Sequence, residues 1–474
     1  MSTRLIHRPA RLHRQITPEK PVELASVPTI RAGGGGGGGA LKALLPVVAG
    51  MGMVLMMFSS GNPIRMAVGV AMLVVVLITA GGALLRAKTG PRKQAEDSRE
   101  RFLEHLEEQE DTIRDLAEEQ REQSALRNPA PGALSDVIRQ PHRLWERRPS
   151  DEDFLVVRLG VGTGDLACGV TVRPAGDPML VPEPISQAHL DRMLKRCSTI
   201  DDLPIAVPLH GTVSLIGPHD VTANAIRALL LQVAVLHAPD DLRLHLALPL
   251  SGGEDTGRWA LWLPHILDDH RFDGPIGLRG ASTDEDSAEA LISELDERRE
   301  EMTAKGKTRM IQVERPHLIV VVDMESDHGR FVMSKLAEVE DLEKARITII
   351  STATMQRMEP SHVDVRVSFG QGKKQRRKAA SKSTDDKRTL DDAALAFSVQ
   401  LLDRGVVGEP EDGAKGFPQR LLYGGYKGTA DVVNPRLAEA TARELSPLRL
   451  VEDAIPDAPL EKTITLDRLL GIAD

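Results

Sequence analysis

Two stretches of the chain carry residue types that could bind a nucleotide. Thr212-Val213-Ser214-Leu215-Ile216 leads into Gly217-Pro218-His219-Asp220-Val221-Thr222-Ala223-Asn224, and a helix-like run follows over 225–236. Strand, glycine-led loop and helix in that order is the layout of a phosphate-binding loop. Such a loop needs glycine where the backbone wraps the phosphates, lysine against the β and γ phosphates, and a Ser or Thr hydroxyl for magnesium. Gly217 fills the first position, but the last three read Thr222, Ala223 and Asn224. The cation and the metal ligand are both missing, so no hydrolysis is expected there. Leu318-Ile319-Val320-Val321-Val322-Asp323 fits a strand that delivers a magnesium-binding carboxylate at its C-terminal end. The acid expected next is Met324, with Glu325 one place late. Because strand side chains alternate faces, that slip aims Glu325 elsewhere unless the chain has already turned. Gly217, Thr222, Ala223 and Asn224 with Asp323 and Glu325 therefore form a degenerate cofactor-binding site, without catalytic residues and without a metal of its own.

Other candidates are weaker. Gly160-Val161-Gly162-Thr163-Gly164 follows a strand-like run but lacks the dinucleotide-binding spacing, and reads as a turn. Among the 14 histidines, His210, His237, His245 and His265 show no metal-binding spacing. Cys168 and Cys197 are too few for a disulfide framework and belong to no zinc-binding pair.

The elements that must position these residues are strands alternating with helices. Short β-branched runs occur at 154–159, 170–172, 212–216, 242–248, 318–322, 346–351 and 363–369. That alternation predicts an α/β fold with a largely parallel sheet covered on both faces. Residues 373–388 carry eight Lys or Arg against two Asp and predict a basic, disordered loop. Without interleaved aromatics, nucleic acid is not the expected partner there. A helix is predicted over 390–402.

Charge is strongly segregated in this 474-residue chain of net charge -9. Residues 43–64 hold no ionisable group; Arg65 is followed by a second uncharged run over 66–85, and Ser59-Ser60-Gly61-Asn62-Pro63 supplies turn residues between them. Two runs of about 20 apolar residues predict a transmembrane hairpin. Basic residues on both outer flanks place the N- and C-termini in the cytoplasm and the hairpin in the inner membrane. Before it lie a basic arm, which could rest on membrane lipid, and the glycine run 33–39 as a tether. After it, residues 94–125 hold twelve Asp or Glu against four Arg and no Gly or Pro, as expected of a solvated helical stalk. Phe102, Leu106, Ile113 and Leu116 mark a narrow apolar stripe suited to a partner helix.

Leu144-Trp145-Glu146-Arg147-Arg148-Pro149, Asp153-Phe154-Leu155 and Arg158-Leu159-Gly160 resemble the entry sequence of the EccC family, membrane-anchored FtsK/SpoIIIE-type ATPases of mycobacterial type VII secretion. Trp259-Ala260-Leu261-Trp262-Leu263-Pro264-His265 and Leu466-Asp467-Arg468-Leu469-Leu470-Gly471-Ile472 are similar to further strings of that family. The resemblance implies two transmembrane helices, a stalk and a P-loop-ATPase-like parallel-sheet domain with a degenerate nucleotide site, preceding catalytic domains that this sequence does not contain. The expected boundaries are 1–42 for the arm, 43–88 for the hairpin, 89–128 for the stalk, 129–405 for the ATPase-like domain with its basic loop at 371–389, and 406–474 for a linker. ATP and magnesium are implied only for those further C-terminal domains. The implied partners are EccB, EccD and EccE components, other copies of the chain in a hexamer, and secreted substrates reached through the C-terminal domains. The expected role is the anchoring and coupling segment of a secretion motor; the competing reading is the membrane anchor of an FtsK-like DNA translocase.

Overall fold

A computed structural model describes residues 4–9, 11, 21–30, 63–174, 181–249, 257–273, 276–304, 315–370, 395–402 and 426–450. The chain divides into two units: Met1–Ile16, Arg121–Asp165 and Ile200–Asp474 form one, and Thr17–Gln120 with Leu166–Thr199 the other.

The first unit is built on nine strands: β1 (Val156–Asp165), β2 (Thr199–Pro208), β3 (Thr212–Ile216), β4 (Leu242–Ala247), β5 (His317–Asp323), β6 (Ile347–Ala353), β7 (Val365–Phe369), β8 (Ala396–Leu401) and β9 (Tyr426–Ala430). Across the sheet they run β2-β1-β9-β8-β7-β3-β6-β5-β4. Strands β7, β3, β6, β5 and β4 are parallel, whereas β8 and β9 join β7 to β1 by antiparallel pairing. The sheet is thus mixed where a largely parallel one was expected. Its parallel half is buried on both faces: Ile319 and Val321 of β5 belong to the cluster around the helix His219–Leu236, while Leu318, Val320 and Val322 pack with Leu291, Leu295, Val332 and Leu336. A period of two with apolar residues on both sides is what a strand covered by helices on each face requires.

Two local expectations are corrected, and one strand is new. Residues 396–401, read as helical, are strand β8, because pairing on both sides overrides a weak helical propensity. The glycines at 160, 162 and 164 lie inside β1 and not in a turn. They serve close approach: a Cβ on Gly160 would lie 2.1 Å from the Thr429 carbonyl oxygen. The segment Thr199–Pro208, with its paired aspartates and its prolines, is a strand the sequence did not announce.

The helices are α1 (Pro63–Arg127), α2 (Leu134–Arg139), α3 (Pro184–Cys197), α4 (His219–Leu236), α5 (Glu289–Ala304), α6 (Asp327–Leu336) and α7 (Pro435–Leu445). The transmembrane hairpin and the inner-membrane location built on it are corrected here. Among the described residues, no helix is long and apolar enough to cross a membrane. Residues 66–85 do not form a separate apolar helix; they are the start of the 65-residue α1, whose backbone runs without a break into the charged stretch ending at Arg127. The first expected span lies outside the described residues apart from Pro63 and Ile64, as do the glycine run 33–39, the basic stretch 371–389 and the string 466–472.

In the second unit the apolar stripe of α1 finds its cover within the chain. Phe102, Leu106 and Ile113 pack with Leu190 and Met193 of α3 and with Leu24. Arg99 pairs with Glu183 at 2.9 Å, and Glu183 caps α3 by accepting from the Ser186 N–H at 2.7 Å.

Candidate functional site

Strands β3 and β5 flank β6, and the register aligns Ile216 with Ala353 and Asp323 with Thr352. The loop after β3 and the carboxylates after β5 therefore meet at the C-terminal edge of the parallel strands, where ligands of such sheets bind. Only Gly217 and Pro218 separate β3 from α4. Helix has begun at His219, so no length of backbone remains to wrap a phosphate, and Pro218 has no N–H to offer. The N–H groups of Gly217, Val221 and Thr222 already bond to Ala353, Pro218 and Pro218 carbonyls at 3.0 Å. Gly217 itself is needed for packing, since a Cβ there would come within 2.9 Å of the Phe369 Cβ.

The remaining predicted site residues are engaged internally. The Thr222 hydroxyl donates to the helix carbonyls of His219 at 3.2 Å and Pro218 at 3.3 Å. Ala223 carries no polar side chain. Asn224 is fully buried; its Nδ2 donates to the Asp431 carbonyl and its Oδ1 accepts from the Val433 N–H, both at 2.8 Å. Asp323 ends β5 and accepts from the Glu325 N–H at 3.0 Å. The chain has indeed turned by Glu325, whose carboxylate accepts from the N–H and hydroxyl of Thr354 and lies 3.0 Å from His219 Nε2. Hydrogen bonds from Thr354, with His219 alongside, hold the Glu325 carboxyl below its ordinary range. Among the described residues, this edge presents two carboxylates and an imidazole, with no lysine and no wrapping loop. That donor set does not fit a triphosphate with magnesium. Among the described residues no group of three His, Cys, Asp or Glu is arranged to hold a metal.

A second constellation surrounds the end of α1. Arg147 is fully buried and donates to the carbonyl of Arg127, the last residue of α1, at 2.7 Å, to Asn128 Oδ1 at 3.0 Å, and to the Val156 carbonyl. Its charge faces Asp153 at 3.4 Å, and Asp153 also takes Arg127 at 3.1 Å and a bidentate pair of 2.6 Å bonds from Arg11. Burial lowers Arg147 to about 10 in spite of Asp153. Burial alone would raise Asp153, but the Arg11 hydrogen bonds and the charges of Arg147, Arg11 and Arg127 hold it well below the usual carboxylate range.

The same segment is fastened to α4. The N–H groups of Trp145 and Arg147 donate at 2.9 Å to the carbonyls of Val235 and Leu236, and the Trp145 indole donates to the Ala234 carbonyl at 3.1 Å. Trp145 holds a left-handed backbone at φ 57, a conformation costly for a bulky residue and maintained here by these bonds. A second link runs from the other end of α4. Asn224 holds Asp431, whose carboxylate takes two bonds from Arg158 at 2.7 and 3.0 Å, and Arg158 reaches the Asn128 carbonyl at 3.3 Å. The first route ties the helix behind the degenerate loop to Arg127, the last residue of α1, and the second ties it to Asn128, the residue that follows. The sequence marked Asn224 only as a lost metal ligand, and marked Arg147 and Arg158 only through family strings. Asp431 gave no signal, since its partners lie more than two hundred residues away.

No family model matches the sequence. Over 277 residues it is 32% identical to the ESX secretion system protein EccC of Thermomonospora curvata, covering 58% of this chain and 21% of that protein. The ESX-5 secretion system protein EccC5 of Mycobacterium tuberculosis is 25% identical over 418 residues, 84% of this chain and 28% of that one. A solved structure, the cytoplasmic domain of the Thermomonospora curvata type VII secretion ATPase EccC, aligns at 12% identity and a TM-score of 0.35 over 67% of this chain and 34% of that one, too low a score to carry an argument. The family resemblance in the sequence is thus upheld: this chain is similar to the EccC proteins of ESX secretion systems, and it spans only 21% and 28% of the length of those two relatives.

Proposed function

We propose that this chain is a coupling segment of an ESX, or type VII, secretion motor, relaying movement between α4 and the α1 stalk without turning over nucleotide. The observation that carries the reading is the double tie between α4 and the end of α1, through Trp145 and Arg147 at one end of α4 and through Asn224, Asp431 and Arg158 at the other. Where an intact loop would grip phosphate, side chains here grip the protein, so the energy of nucleotide binding has no entry point at this loop. In this reading ATP and magnesium act on other domains of the motor. The partners are EccB, EccD and EccE components and further copies of the chain in a hexamer, with secreted substrates engaged elsewhere in the motor. Steady-state ATP hydrolysis by the purified chain with magnesium tests it: the expected rate is that of buffer. Magnesium-dependent turnover abolished by Asp323→Ala would overturn it and restore Asp323 and Glu325 as a working site.

A further inference from the structure

The first residues of the chain are bound to the sheet unit as an extended peptide would be. Arg4–Ile6 pairs in parallel with Leu448–Leu450, in the register Arg4 to Leu448 through Ile6 to Leu450, and the Arg4 N–H donates to the Pro447 carbonyl at 2.8 Å. Ile6 packs against the main core cluster, while Leu5 points outward and is 65% exposed. Beyond the strand, Arg8 pairs with Asp241, Arg148 donates to the Pro9 carbonyl at 2.9 Å, and Arg11 takes Asp153 in a two-pronged grip with Asp151 at 2.7 Å. One apolar anchor, the short strand Leu448–Leu450, which lies outside the nine-stranded sheet, and two arginines on three carboxylates form a recognition groove that pairs backbone with an extended peptide.

We propose that this groove recognises the arm in trans as well as in cis, so that neighbouring copies of the chain exchange their residues 4–11. A three-residue strand with two arginine anchors sits at the low-stability end of a fold. The groove makes the same contacts whichever copy supplies the arm, so the choice is set by effective concentration, the usual condition for exchange of an element between protomers. The supply of neighbours rests on the self-association proposed above; recognition in the groove does not. Because Asp153 also receives Arg127 and Arg147, the arm that fills the groove adds Arg11 to the ion-pair cluster at the end of α1. A neighbour's arm would thereby join the stalk joint of the next copy.

The test uses the full chain with its own arm disabled by Arg8→Ala and Arg11→Ala, and a fluorescent peptide of residues 4–11 followed by anisotropy. Saturable binding is expected, weakened about tenfold or more when either arginine of the peptide is replaced by alanine, and weakened by salt. A second titration with the peptide carrying Ile6→Ala separates groove recognition from plain charge attraction, and should also lose affinity. No saturable binding, or equal binding by a scrambled peptide of the same charge, overturns the proposal. Light scattering of the unmodified chain reports self-association separately, so failure of the hexamer reading is distinguishable from failure of the groove.

Discussion

At position 224 the side chain decides what helix α4 is attached to. A Ser or Thr there would present one hydroxyl to a metal, whereas Asn224 satisfies one donor and one acceptor of the segment 431–433 in a fully buried setting. Asn224→Ala should orphan both groups and cost about 2 kcal/mol of unfolding free energy in a urea titration. Asn224→Ser, which restores the hydroxyl, should not create ATP hydrolysis, because no wrapping loop precedes α4; hydrolysis by that variant would contradict the account. Arg147 is the other decisive residue. Arg147→Met leaves Asp153, the Arg127 carbonyl and Asn128 without their buried partner and is expected to destabilise by about 3 kcal/mol. Arg147→Lys should recover little of it, since an ammonium cannot reach three acceptors in a planar fork.

Among the elements, the sheet records which signals a sequence can carry. The five parallel strands were legible because burial on both faces writes continuous β-branched runs, such as Leu318-Ile319-Val320-Val321-Val322. The antiparallel half was not, because β9 finds its partner β1 far back along the chain and reads Tyr426-Lys427-Gly428-Thr429-Ala430 with little apolar pattern. The glycines of β1 looked like a turn for the same reason: their use lies in the approach of β9. Gly160→Ala should force β1 and β9 apart and lower stability by about 1 to 3 kcal/mol, read as a drop in thermal midpoint. An unchanged midpoint would mean the two strands have slack. Of the candidate site, what was legible was the spacing of its six residues along the chain. Their internal engagement was not, since the two-residue link between β3 and α4 depends on where the helix begins and no composition rule fixes that. The stripe Phe102, Leu106 and Ile113 likewise announced a partner helix, but not that α3 of the same chain supplies it.

For the whole molecule, buried histidines set the response to acid. Burial holds His237, His245 and His317 down to about 3 and His265 to about 4, against an ordinary value of 6.5. His237 is neutral with its Nδ1 donating to the Val233 carbonyl and its Nε2 accepting from the Leu155 N–H, each at 3.0 Å. These folded-state values lie below the unfolded ones, so the unfolded chain binds more protons in the window between them. Stability should fall as pH drops below about 6.5, by up to about 1.4 kcal/mol per pH unit for each histidine. A series of urea midpoints from pH 7.5 to 5 should decline steadily; a flat series would contradict the burial described.

Hydrogen exchange shows whether α4 and the end of α1 move as one piece. The amides of residues 121–127 are compared in the unaltered chain and in Asn224→Ala, under conditions where both remain folded. Faster exchange is expected in residues 121–127 together with 431–433, because the route through Asp431 and Arg158 to Asn128 has been cut. Faster exchange confined to 431–433 and the first turn of α4, with 121–127 unchanged, would contradict it.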